Sequence, residues 1–299
     1  MLLWLCQTLI TLIFVLTSIA FITLLERVYM GVSQRRRGPN KIFIWGMLQP
    51  VLDGIKLVMK STNKFYQTNM ILFLCIPITS FCLLMTFWSA LPFIYKFMNF
   101  NLSVLFTLVL FGMVAFNVMI TSWASNNKFA LFGSLRTMTQ SISYEITLAL
   151  IILLMFCAKS SLWLYSSFEG YHVTEILFSW FFLAPMSFMT LAECGRTPFD
   201  LLEAESELVS GYNVEYSSVE FAFLFMAEYG MIILLSVLFS LIIVPQAVAS
   251  TSLLMITSIL FLRYTLPRLR YDFLMSLMWK SLLPSMILCW FITFNSSCA

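Results

Sequence analysis

Six carboxylates crowd into residues 192–216, AECGRTPFDLLEAESELVSGYNVEY: Glu193, Asp200, Glu203, Glu205, Glu207 and Glu215, with Arg196 as the one base among them. The whole chain has only 14 Asp and Glu, so this is a concentration of proton chemistry. Clustered acids repel one another when ionised, so some hold protons at neutral pH and respond to nearby charge. Glu203 and Glu207 lie one turn apart and share a face if the segment is helical. Two further glutamates, Glu145 in SISYEITLAL and Glu228 in LFMAEYGMII, stand inside long apolar runs. Each follows or precedes a tyrosine, Tyr144 or Tyr229, although adjacent residues do not share a helix face. A charge within a membrane is costly, so such groups face the bundle interior, pair or titrate. The bland reading is a glutamate hydrogen-bonded across helices as glue. Two such residues beside a six-acid loop point instead to a proton or cation pathway. Arg196 is either the counter-ion of these acids or a clamp that holds their loop.

The elements that must position these groups are membrane helices. The chain has 299 residues, 61% of them hydrophobic and 10% charged, with a mean hydropathy of +0.92. A soluble domain carries about 25% charge. The expected class is an all-α integral membrane protein folded as one polytopic domain over 1–299. A net charge of +3, with no basic run interleaved with aromatics, argues against nucleic acid as a partner. Seven scattered cysteines form no C-x-x-C pair and there is one histidine, His172. No metal site or bis-His haem is expected within the chain, and any redox cofactor is assigned to a partner. The 30 Phe and 19 Met fit an AT-rich organellar gene, and the first 25 residues read as a span, with no presequence or cleavable signal.

Eight apolar runs reach the ~20 residues that a bilayer requires: about 2–25, 70–94, 102–124, 138–158, 173–192, 219–243, 247–267 and 276–295. Pro77, Pro185 and Pro284 fall inside them. Fifteen of the 17 Lys and Arg fall on the side of the odd-numbered loops, Arg263 and Lys280 among them at the ends of the flanking spans, leaving Lys96 and Lys159 opposite. The basic side faces the cytoplasm or mitochondrial matrix, and both termini lie outside. The acidic loop, 193–218, shares the basic side, where the two signs can pair. In the first loop, 43–61 places Gln49, Asp53, Lys56 and Lys60 at i, i+4, i+7 and i+11, with Pro50 suited to a first turn. This segment is either an amphipathic helix in the membrane interface or a juxtamembrane helix docked on its own bundle.

At this point the sequence resembles the family of NADH–ubiquinone oxidoreductase chain 1, a membrane subunit of respiratory complex I. The opening stretch is close to the family pattern AETNRTPFDLxEGESELVSGFNxEY. Four more segments match in order: ERVYMGVSQRRRGPNK (26–41), QPVLDGIKL (49–57), WASNNKFALFGSLRTMTQSISYEI (123–146) and LPRLRYDFLMSLMWK (266–280). The departures are Cys194-Gly195 for Thr-Asn, Ala204 for Gly, and Ser61 where an acid commonly follows Lys60.

The resemblance implies eight spans, with both termini in the intermembrane space and odd loops in the matrix of the mitochondrial inner membrane. It implies ubiquinone as substrate, with FMN and Fe–S clusters on partner subunits and no covalently bound cofactor. Glu26, Arg27, Arg36, Asp53 and Lys56 would line or border the quinone channel, with Arg268 and Arg270 in its basic wall. Glu145, Glu193, Glu203, Glu205, Glu207, Glu215 and Glu228 would form a carboxylate relay, with Arg196 as counter-ion. The relay would run from the quinone chamber toward antiporter-like membrane subunits, with hydrophilic-arm subunits on the matrix side and the bilayer, including cardiolipin, around it. The chain would be one part of a proton-translocating NADH:ubiquinone reductase, without a complete active site of its own. The competing readings are a secondary transporter, a structural anchor for a redox arm, and the related subunit of a membrane-bound hydrogenase.

Overall fold

The computed structural model describes residues 2–61, 68–92, 101–158, 162–164, 166, 173–200, 213 and 215–298. Among these, the chain is α-helical. The helices are α1 (Leu2–Ser33), α2 (Gln49–Met59), α3 (Met70–Ala90), α4 (Ser103–Ser125), α5 (Lys128–Ala158), α6 (Val173–Glu193), α7 (Ser218–Ile243), α8 (Val248–Thr265), α9 (Tyr271–Leu277) and α10 (Leu283–Cys298). Seven helical stretches are long and apolar enough to cross a membrane. The eighth expected span is α6, whose described apolar stretch is the shorter Phe181–Glu193.

Helix α7 is the hub. It packs against α1, α2, α3, α6 and α8, and the run Tyr229–Ser236 is buried on every side. A helix that is apolar all round belongs in a core. Around it, α3 pairs with α4, α4 with α5, and α5 with α6 and α10. Large apolar side chains on α1 and α3, such as Phe14, Phe21 and Ile71, point outward, as a lipid-facing surface requires. Gly230 marks the closest approach: a Cβ there would meet Leu84 Cδ2 at 2.3 Å.

The spans extend further than hydropathy suggests at two places. Helix α1 continues from the expected end at 25 to Ser33, so Glu26 lies within the helix instead of at its end. Helix α5 starts at Lys128, ten residues before the expected 138. Hydropathy registers where a chain leaves lipid, and helix-forming residues such as those of 128–137 carry the helix beyond that level. The loop expected at 125–137 therefore contracts to Asn126–Asn127, and Lys128 and Arg136 sit on α5. Asn126 takes the left-handed conformation at φ 52°, ψ 28°, which Asn tolerates better than most residues. Asn127 Oδ1 accepts from Phe129 N at 3.0 Å, capping the next helix.

The expected amphipathic helix at 43–61 is shorter, Gln49–Met59, with Pro50 in its first turn and a 3₁₀ turn at Ile44–Gly46 before it. It contacts α1 and α7 on one side and exposes Val51, Leu52, Ile55, Val58 and Met59. At the last span, a π turn at Met278–Leu282 joins α9 to α10. Pro284 lies two residues past it, in the first turn of α10. The wider turn accommodates the N–H that proline lacks.

Candidate functional site

Two buried ion pairs lie side by side where α1, α7 and α8 meet the turn after α6. Glu26, 6% exposed, pairs with Arg263 in the last turn of α8. Tyr229 donates its hydroxyl to Glu26 Oε2 at 2.6 Å. Tyr264 donates to the Glu26 backbone carbonyl at 3.0 Å. On the other side of Tyr229, the Arg196 guanidinium carbon stands 4.5 Å from the ring centroid. Arg196 Nη2 lies 3.6 Å from Glu228 Oε2, and Asn213 Nδ2 is 3.4 Å from Glu228 Oε1. Arg196 thus stands between the Tyr229 ring and the Glu228 carboxylate.

The turn that carries Arg196 is held from α5. Gln140 donates from Nε2 to the carbonyls of Ala192 and Phe199, each at 3.2 Å, straddling Cys194–Gly195–Arg196. Gly195 takes φ 56°, a left-handed value that suits glycine at a helix C-terminus. The turn ends in a cis Thr197–Pro198 bond, and Thr197 Oγ1 donates to the Arg263 carbonyl at 2.9 Å. Burial pushes the Cys194 thiol far above its usual range, against the pull of Arg196.

Glu193 lies between two cavities. The larger, about 90 Å³, is bounded by Ser80, Asn117, Thr121, Glu193, Cys194 and Glu228. The smaller, about 50 Å³, is bounded by Thr137, Gln140, Ser141, Glu193 and Gly195. Val114, Val118 and Glu193 line both. Each has room for water, and in both the polar groups are set among apolar side chains, Leu83, Leu84, Leu224 and Met231 in the larger and Val114 and Val118 in both. Glu145 packs on Gly112 of α4, where a Cβ would stand 3.0 Å from Oε1. Of the expected relay residues, Glu228 and Glu193 line one cavity, and Glu145 packs on α4.

The other expected residues separate. Glu215 accepts from Asn127 Nδ2 at 2.9 Å and ties to the α4–α5 turn. Glu203, Glu205 and Glu207 lie outside the described residues. Arg27 pairs with Asp53 of α2 at 2.6 Å, and Asp53 also accepts from Gln49 at 2.9 Å. Lys56 is exposed. Arg36 is exposed and its Nη2 lies 3.7 Å from Met30 Sδ. Arg268 pairs with buried Asp200 at 2.9 Å. Arg270 pairs with Asp272, both largely exposed.

Sequence reasoning gave Arg263, Gln140 and Asn117 no place in the site and saw Tyr229 only as a neighbour of Glu228. Arg263 carried a usable signal. It falls inside an apolar run, and an intramembrane cation requires a partner; Glu26 is the acid at the same level.

Fold and site together define a polytopic helical membrane protein with two neighbouring carboxylate–guanidinium pairs inside its bundle. Residues 6–294 match the family model described as NADH dehydrogenase, and the chain belongs to that family. NADH-ubiquinone oxidoreductase chain 1 of Aedes aegypti is 43% identical over 294 residues, covering 95% of this chain and 92% of the relative. The protein of that name from Artemia franciscana is 42% identical over 289 residues, covering 93% and 95%. That from Balaenoptera physalus is 40% identical over 294 residues, covering 93% and 92%.

Proposed function

We propose that this chain is a core membrane subunit of a proton-translocating NADH–ubiquinone oxidoreductase in the mitochondrial inner membrane. Its relatives carry that oxidoreductase name over nearly the whole chain. Odd loops face the matrix, where the hydrophilic-arm subunits carry the flavin and Fe–S clusters; antiporter-like subunits and cardiolipin flank the chain in the bilayer. Ubiquinone enters beside α1 and α2, past Arg27, Arg36, Asp53 and Lys56. Glu26 lies behind that entrance, and Arg268 and Arg270 form the basic wall of the chamber.

The observation that supports this reading is that Glu228 and Glu193 line one cavity with Arg196 beside Glu228, and we take Glu145 as the next member of the row. Reducing ubiquinone to ubiquinol takes two electrons and two protons. Before protonation the reduced quinone is a concentrated negative charge. At an effective dielectric of about 20, a unit charge about 4 Å away acts with about 4 kcal/mol, enough to change the protonation of a poised carboxyl. The row passes that change along the membrane, with Glu203, Glu205, Glu207 and Glu215 as its loop-side members.

The test is Glu193→Gln or Glu228→Gln in the assembled complex, read as quinone reductase rate and proton uptake in sealed vesicles. Lost proton uptake with assembly intact supports the relay. Unchanged coupling would make these acids structural and move the proton path to other subunits.

A further inference from the structure

Tyr229 touches both buried ion pairs at once. Its hydroxyl is held on Glu26 Oε2 at 2.6 Å, and its ring lies under the Arg196 guanidinium at 4.5 Å. The residue is itself only 5% exposed. The groups on either side differ in place. Glu26 and Arg263 belong to α1 and α8, near the α1–α2 corner. Arg196 and Glu228 open onto the cavity that reaches Glu193. The tyrosine stands between them, with its hydroxyl on Glu26 and its ring against Arg196. Phe225, one turn earlier on α7, packs against the Tyr229 ring with centroids 4.3 Å apart, and this limits the ring's freedom to turn.

We propose that Tyr229 is a positioning residue that links the Glu26–Arg263 pair to the Arg196–Glu228 pair, so that a change of charge at Glu26 is felt at the head of the carboxylate row. The inference rests on the reading of that row as a relay. When Glu26 is ionised it holds the hydroxyl and fixes the ring under Arg196. When a proton reaches Glu26, the acceptor weakens, the hydroxyl is released, and the ring no longer holds the guanidinium against Glu228. Tyr229 neither gains nor loses a proton in this step. It converts a protonation at one carboxylate into a displacement at the counter-ion of another. A charge-assisted hydrogen bond and a desolvated cation–π contact are each large enough to matter at such a site.

The test compares Y229F with Y264F in the assembled complex. Y229F removes the hydroxyl from the Glu26 carboxylate and leaves the ring under Arg196. Y264F removes a hydroxyl from the Glu26 backbone carbonyl and leaves both ion pairs in place, so it reports the structural cost alone. Assembly is followed by NADH oxidation with a water-soluble acceptor. Function is followed by quinone turnover, quinone KM and protons taken up per NADH in sealed vesicles. The expected result is that Y229F assembles and lowers quinone turnover by about tenfold, the scale of one charge-assisted hydrogen bond. Quinone KM changes less than twofold and protons per NADH fall, while Y264F stays near wild type. Equal losses in Y229F and Y264F, an unchanged Y229F, or failure of Y229F alone to assemble would each overturn the proposal. Glu228→Gln in the same assay separates the two readings. If it abolishes proton uptake while Y229F does not alter coupling, the relay stands and the link fails. If Glu228→Gln leaves uptake intact, the relay itself fails.

Discussion

Glu26 on α1 and Arg263 on α8 form an ion pair across 237 residues of sequence. Both side chains are mostly buried, at 8% and 22% exposure. Removing one partner of a buried pair leaves the other charge uncompensated, which costs about 3–5 kcal/mol. Glu26→Leu alone is therefore expected to lower the thermal inactivation temperature of the complex sharply. The double change Glu26→Leu with Arg263→Met is expected to recover much of the loss. Inactivation temperatures of the two variants check this, and a double variant no better than the single one would refute it.

Arg196 acts through a flat, delocalised charge, with Tyr229 under one face and Glu228 beside its edge. Lysine keeps the charge and loses the shape. Arg196→Lys should weaken the site by about 1–2 kcal/mol, the size of a desolvated cation–π contact. Quinone turnover should fall more than complex abundance, and both can be measured in the same membranes.

Gln140 is 4% exposed and satisfies two carbonyls on either side of the Arg196 turn. Gln140→Leu leaves both without that donor, at a cost of about 1–3 kcal/mol. Gln140→Glu sets a carboxyl against the same two oxygens and should be worse. Heat inactivation should rank wild type above Leu and Leu above Glu.

Gly112 leaves room for the Glu145 carboxyl. Alanine would gain about 0.5–1 kcal/mol in helix propensity, but its Cβ would stand 3.0 Å from Oε1. Gly112→Ala should leave thermal stability within about 1 kcal/mol of wild type, because the two effects oppose each other. Protons per NADH should fall, since the carboxyl is moved out of line with Glu193. Proton uptake in vesicles measures this directly.

Cys194 is held neutral by burial. An unfolded thiol ionises near pH ~8.5, so stability from the neutral thiol is complete below that value. It declines as pH rises and the unfolded chain, but not the folded one, loses the proton. Cys194→Ala should therefore flatten the alkaline loss of stability. Alkylation at pH 8 should spare Cys194 in the native complex and reach it on denaturation.

Much of the fold could be read from the chain because a bilayer imposes a length on every apolar run. The starts of α3, α4 and α7 fall within a residue of the hydropathy limits. Helices α1 and α5 overran theirs, since the residues past the lipid boundary still favour helix. At the site, Glu145, Glu193 and Glu228 stood out because charge is rare in such a sequence. Their partners did not, because Arg263 meets Glu26, and Gln140 meets the Arg196 turn, through tertiary contacts that no spacing encodes. Adjacent Glu228 and Tyr229 reach different partners, the Glu228 carboxylate toward Arg196 and the Tyr229 hydroxyl toward Glu26, which follows from the angle between neighbouring side chains on a helix.

The central position of α7 also bears on how the chain is made. The ribosome delivers α1 through α6 before Ser218 emerges, so the slot between α1, α3 and α6 is built before its occupant exists. During that interval Glu26 lacks both Tyr229 and Arg263. Synthesis past Thr265 supplies both, and the bundle closes around its middle last. A nascent chain stalled before Ser218 therefore holds Glu26 in lipid without either partner, a form that membrane quality control should recognise.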